Sequence, residues 1–243
     1  MPDATAAWTS YDSVAAAYAR VAVPWFTPLA RDLVDAMALR AGETVVDVGT
    51  GTGLVAGIAR PLVAPGGIVV GVDPSTGMLL ETRQGGSALL AGRCPGLPIA
   101  GSSVDVVVAN LSLSHLPTLE GGVADFVRIL RPGGRLGVTA WASPLPAGDG
   151  NDLAAVDDML QEIRVAYGFE VPPAAGSAGP FQQALMPDGR LGALLEGAGL
   201  TGVSVEARRY SHTFLVEDYL VGWGSNGRYL RHVHGPERWE EFT

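Results

Sequence analysis

The chain has 243 residues, 47% of them hydrophobic and 17% charged, which are the proportions of a folded domain with a substantial core and not of a disordered segment. Its formal net charge is −9, and all 16 basic residues are arginine without a basic run, which argues against a nucleic-acid partner or an anionic membrane surface. The single cysteine, Cys94, excludes an intrachain disulfide and a thiolate metal site, and no apolar run approaches the roughly 20 residues that span a bilayer.

The first residues, MPDATAAWTSYD, carry acids and lack the basic start and apolar core of a signal peptide, so a soluble cytoplasmic protein is expected. The absence of lysine points to a high-GC bacterial genome. Residues 10–20 are predicted to form a helix, with Asp12 and Ser13 available as caps and Val14, Ala17, Tyr18 and Val21 at helical spacing. Pro24 interrupts that pattern, and a second helix is predicted over 28–39. The period then changes. A short apolar strand at 44–48 leads into a glycine loop and a helix at 54–62; a strand at 67–72 leads into a helix at 74–84. Leu89 and Leu90 mark a third strand, and 104–110 is a fourth, apolar on both faces as buried parallel strands are. A helix over 122–130 stops at Arg131-Pro132-Gly133-Gly134, and 136–141 is a fifth strand. Between 143 and 189 the pattern loosens around a helix at 152–167; a helix at 190–198 and two closely spaced strands at 203–207 and 210–216 follow.

Strands alternating with helices at this spacing predict one α/β domain with a Rossmann-like, doubly wound and mainly parallel sheet. Seven strands are expected, the last two as an antiparallel hairpin, with a helical cap inserted over 143–189. Residues 1–40 would cover the ligand, 41–142 would form the binding core, and 190–243 would complete the sheet. The chain ends in RWEEFT inside an expected helix, so continuation of the native protein past Thr243 is also an expectation.

In VVDVGTGTGLVAGIA, Gly49, Gly51 and Gly53 lie between a buried strand and a helix, where the backbone can approach a ligand and helix amides stand unpaired. Asp73 ends the next strand, 20 residues after Gly53, where a carboxylate can accept both ribose hydroxyls. Gly51-Thr52-Gly53-Leu54-Val55-Ala56 also fits a dinucleotide fingerprint. Against that stands Asp47, whose charge would face a pyrophosphate unfavourably but would suit a cationic ligand with an amino group and a sulfonium; a loop-capping role for Asp47 is the alternative.

These segments resemble the class I methyltransferases of the menaquinone-biosynthesis and small-molecule type. VVDVGTGTG resembles the family's first motif and GVDPSTGML its second. LPIAGSSVDVVVANLSLSHL, ILRPGGRLGVTAW and LLEGAGLTGVSVE follow in family order. The resemblance implies S-adenosylmethionine as cofactor. Asp47 and the backbone of Gly49, Thr50 and Gly51 would meet its methionine portion; Asp73 would hold the ribose; Pro74 and Met78 would pack near adenine. Asn110 and Leu111 would border the sulfonium through their backbone, and Tyr18, assisted by Tyr11, would cover the methionine end. One position departs from the pattern. Where the family carries an acid that accepts from the adenine amine, this chain has Arg93, which has no acceptor; the neighbouring Cys94 could still offer its backbone amide.

Methyl transfer is an in-line displacement in which alignment supplies much of the rate, so no catalytic residue is obligatory. His115, after the fourth strand, is the candidate general base, with simple packing as its alternative role. Trp141, Phe169, Phe181 and Met186 would wall an apolar acceptor site. No metal is expected, since His232 and His234 lack an accompanying carboxylate spacing. The predicted activity is methyl transfer to an oxygen or carbon of a small, largely apolar acceptor such as a quinone or polyketide. The rival readings are a protein of the same fold that catalyses a non-methyl step such as cyclisation, an NAD-dependent oxidoreductase, and a non-enzymatic interaction module.

Overall fold

The computed structural model describes residues 11–82, 87–141 and 189–213, with Val165, Gly168 and Glu237 as isolated positions. Valine-rich segments form its strands, because β-branched side chains pack well on a pleated surface buried on both faces. They are β1 (Thr44–Val48), β2 (Ile68–Asp73), β3 (Ala88–Ala91), β4 (Val104–Asn110) and β5 (Leu130–Thr139). The helices are α1 (Ala15–Ala36), α2 (Leu54–Val63), α3 (Thr76–Leu80), α4 (Leu119–Ile129) and α5 (Arg190–Gly197).

All ladders are parallel, in the order β3-β2-β1-β4-β5. The chain steps outward from β1 to β3 and then returns to the other side of β1 with β4. That reversal opens a crevice between the carboxyl ends of β1 and β4, the place where such sheets bind ligands. Two cores flank the sheet. One packs α1 and α2 through Ala30, Val34, Val55 and Ala59 against Val45, Val106 and Val108. The other packs α4 through Val123, Phe126 and Ile129 against Val46, Val104 and Val107, with Leu195 of α5 joining it. Each large side chain buried this way contributes about 1.5–3 kcal/mol.

Four expectations need correction. Pro24 does not divide the N-terminal region: α1 runs through both Pro24 and Pro28. Both prolines lie on the exposed face, while the buried stripe Ala22, Phe26, Ala30, Val34 continues unbroken beneath them. Asp12 does not cap its own helix; its carboxylate reaches α3, as described below. The helix after β2 is short, ending at Leu80. And β5 begins at Leu130, with the Arg-Pro-Gly-Gly run taken up as an irregularity between the Val104–Leu130 and Val106–Arg135 pairs.

The described sheet has five strands, not seven. Residues 203–213 form no ladder. They are exposed except for the half-buried Val203, and are held to α1 by side chains: Tyr210 donates to Asp32 at 2.7 Å and Arg208 pairs with it at 2.8 Å. The rest of the expected hairpin, the helix at 152–167 and nearly all of the 143–189 insertion lie outside the described residues, as do Phe169, Phe181, Met186, His232 and His234. No described helix is long and apolar enough to cross a membrane.

Candidate cofactor site

The loop after β1 has the backbone that its glycines predict. Gly49, Gly51 and Gly53 adopt φ of 75°, 54° and 79°, the left-handed region that side chains disfavour. Two of them are also hemmed in. A Cβ on Gly49 would collide with the Ser112 side chain, whose hydroxyl donates to Val48 O at 2.7 Å, and one on Gly53 would strike the Thr82 methyl. Gly51 differs, because nothing lies within 4 Å of the position a Cβ would take. Its open face is where the backbone can meet a ligand.

Asp73 is fixed to this loop. Its Oδ2 accepts from the Gly51 amide and its Oδ1 from the Ser75 amide, each at 2.8 Å. Each oxygen keeps a further lone pair for a ligand hydroxyl. Burial pushes this carboxyl up, the amides of Ser75 and Gly51 pull it back, and the charge of Asp12 adds to the rise. Asp12 itself accepts from the Ser75 hydroxyl at 2.6 Å and the Gly77 amide at 2.7 Å. It therefore joins the segment before α1 to the first turn of α3 and places α1 over the site.

Asp47 lies behind the loop with 0% exposure. Its Oδ2 accepts from the Thr50 hydroxyl at 2.7 Å and from the Ala56 amide in the first turn of α2 at 3.1 Å; its Oδ1 has no partner. Burial raises its pKa to about 7, against the pull of those two bonds. In this arrangement Asp47 shapes the loop and caps α2.

A pocket opens beside the loop, lined by Gly49, Thr50, Gly51, Thr52, Leu54 and Val55 on one side and by Tyr18, Phe26 and Asn110 on the other. Tyr18 and Phe26 come from α1, and Asn110 ends β4. The Tyr18 phenol is pushed well above its ordinary pKa by burial and by the neighbouring Tyr11 and Asp73, so it stays protonated at cellular pH. Tyr11 meets both Tyr18, at a ring separation of 5.9 Å, and His115, at 5.7 Å, edge to face in each case. His115 is exposed in the single 3-10 turn Leu113–His115 that follows β4. Trp141 is 44% exposed and packs edge-on against Phe26 at 6.1 Å.

The predicted residues thus divide. Tyr18, Gly49, Thr50, Gly51 and Asn110 share the pocket, Asp73 bonds to its Gly51, and Tyr11 and His115 connect to it only by ring contacts through Tyr18. Gly53 caps α2 and Leu111 takes a left-handed φ of 55° next to Asn110. Met78 is core, 3% exposed, while Pro74 and Arg93 are exposed. Cys94 is buried with its thiol toward Gly122 O and Asp125, and burial pushes it up to about 12, so it is an inert thiol. Four residues escape sequence reasoning. Phe26 lies inside the helix that Pro24 was expected to break, Thr139 carries no motif, and Asp12 looks like a local cap. Asp125 accepts from the amides of Gly96 and Leu97, both at 2.7 Å, and from Arg128 Nε at 2.7 Å, holding the loop after β3 against α4. The Asp125–Arg128 spacing of three residues on a helix was its one visible signal.

These features fit S-adenosylmethionine. An anchored carboxylate with spare lone pairs stands beside an open glycine, the first residues of α2 line the pocket, and Tyr18 and Phe26 face them from α1. Comparisons agree. A methyltransferase-domain model matches residues 46–138, and a protein-L-isoaspartate(D-aspartate) O-methyltransferase model matches residues 5–85. The chain is 32% identical over 236 residues to nocamycin O-methyltransferase of Saccharothrix syringae, covering 89% of this chain and 80% of that one. It is 36% identical over 116 residues to a demethylmenaquinone methyltransferase of Beutenbergia cavernae, covering 47% of each. A solved structure of a proposed methyltransferase from Bacillus halodurans shares the fold, with a TM-score of 0.50, 23% identity and coverage of 70% of this chain and 68% of that one. On the strength of the long relative and the loop geometry together, the chain belongs to the class I S-adenosylmethionine-dependent methyltransferases.

Proposed function

We propose that the protein methylates an oxygen or a carbon of a small, largely apolar acceptor, of the quinone or polyketide kind. The observation that carries this reading is the aromatic cluster that begins with Tyr18 and Phe26 in the pocket wall. Tyr11, Tyr18, Phe26 and Trp141 form a chain of ring contacts from His115 to the end of β5, an apolar surface suited to a flat acceptor. The relatives add support: one is named an O-methyltransferase and the other for a quinone.

Bound S-adenosylmethionine supplies an electrophilic methyl group. In our reading Asp73 binds its ribose, the Gly49–Gly51 backbone and Tyr18 enclose its methionine end, and the aromatic cluster orients the acceptor and excludes water. His115 at its end removes the proton from an acceptor hydroxyl as the new bond forms. The 143–189 insertion covers the acceptor.

Incubation with S-adenosylmethionine and a panel of hydroxyquinones and phenolic polyketides tests the reading. Methylated acceptor and S-adenosylhomocysteine formed in equal amounts, detected by mass spectrometry, support it. An acceptor that rearranges without either product favours the non-methyl alternative.

A further inference from the structure

We infer that Thr139 is a positioning residue: it turns the Asn110 carboxamide so that its NH2 group faces the pocket and donates to a carboxylate oxygen at the amino-acid end of the cofactor. This rests on the methyltransferase reading of the pocket. Asn110 and Thr139 are partners in the last rung between β4 and β5. The Leu111 amide donates to Thr139 Oγ1 at 2.9 Å, so the hydroxyl hydrogen is directed to a separate acceptor. That acceptor is Asn110 Oδ1, at 2.7 Å.

A carboxamide held by its oxygen presents its N–H donors on the other side. Asn110 lines the pocket, and its Nδ2 has no partner among the described residues. The reverse orientation would place Nδ2 against Thr139 Oγ1 and take away the acceptor of the hydroxyl hydrogen. The same hydroxyl fixes the amide of Leu111, whose left-handed φ of 55° non-glycine residues disfavour, so the turn carrying the β4 end depends on it as well. No acidic side chain lines this pocket among the described residues, whereas Leu54 and Val55 at the start of α2 do. A wall with helix-start amides and a fixed carboxamide suits an anionic oxygen.

Calorimetry of the full chain with S-adenosylhomocysteine and with 5′-methylthioadenosine, which lacks the amino-acid end, tests this. Thr139→Val is expected to weaken S-adenosylhomocysteine about tenfold, the scale of one lost polar contact, and to leave methylthioadenosine unchanged. Thr139→Ser, which keeps both bonds of the hydroxyl, is expected to restore wild-type binding, and Asn110→Ala to weaken S-adenosylhomocysteine while leaving methylthioadenosine unchanged. Equal losses for both ligands, no loss, or a Thr139→Ser variant as weak as Thr139→Val overturn the proposal. Should Thr139→Val fail to fold, Asn110→Ala decides: a loss confined to S-adenosylhomocysteine supports the donor, and any other pattern overturns it. Failure of the unaltered chain to bind either probe overturns the cofactor reading itself, a result distinct from normal wild-type binding with an indifferent Thr139→Val.

Discussion

Asp47→Asn is expected to change how the stability of the protein depends on pH. Asp47 is fully buried, one oxygen accepts two bonds and the other none, and its pKa rises from 3.8 to about 7. A carboxyl raised in the native state binds a proton there that the unfolded chain has already released. Its contribution to stability is therefore fully present below the unfolded pKa and is lost as pH rises through about 7. With those two values, the loss between about pH 5 and about pH 8 amounts to about 2.5 kcal/mol. In the asparagine variant the amide oxygen keeps the bonds from Thr50 and Ala56. The amide nitrogen occupies the unpartnered position at a cost that does not vary with pH. Urea denaturation across that range, followed by circular dichroism, would show the difference between wild type and variant shifting in favour of the variant as pH rises. A constant difference would refute the assignment of a raised, buried carboxyl.

Asp125→Ala should cost about 3 kcal/mol in urea denaturation, because the amides of Gly96 and Leu97 lose a buried acceptor. Gly77→Ala would set a methyl 2.7 Å from Asp12 Cα and 2.9 Å from its carbonyl oxygen, so the segment before α1 must move. Its expected signature is faster proteolysis near Tyr11 and cofactor binding weakened about tenfold or more. Arg93→Asp restores an acceptor at an exposed position and should tighten S-adenosylhomocysteine binding several-fold without altering thermal stability.

The inner sheet was legible because its chemistry is local. The valine runs of β1 and β4 and the glycines between β1 and α2 state strand, turn and helix within a few residues, and the observed bounds of β1 and β4 match the predicted ones. The misreadings share a cause. Pro24 breaks a helix as an isolated residue, but burial of Ala22, Phe26 and Ala30 on the opposite face outweighs its missing hydrogen bond. Asp12 and Asp125 act on partners 63 and 29 residues away, a distance at which no periodicity speaks. Asp47 and Asp73 both stood out in the sequence, but their different placements did not. They depend on which carboxylate the fold buries behind the loop and which it leaves against Gly51. Thr139 became visible only once strand register placed it across from Asn110.

The most direct test of the cofactor assignment is a calorimetric titration of the full chain with S-adenosylhomocysteine, run beside NAD and repeated with Asp73→Ala. The expected result is micromolar binding of S-adenosylhomocysteine, no binding of NAD, and loss of binding in the variant, since Asp73 is the carboxylate anchored to Gly51. Binding of NAD in place of S-adenosylhomocysteine, or S-adenosylhomocysteine binding indifferent to Asp73→Ala, would contradict it.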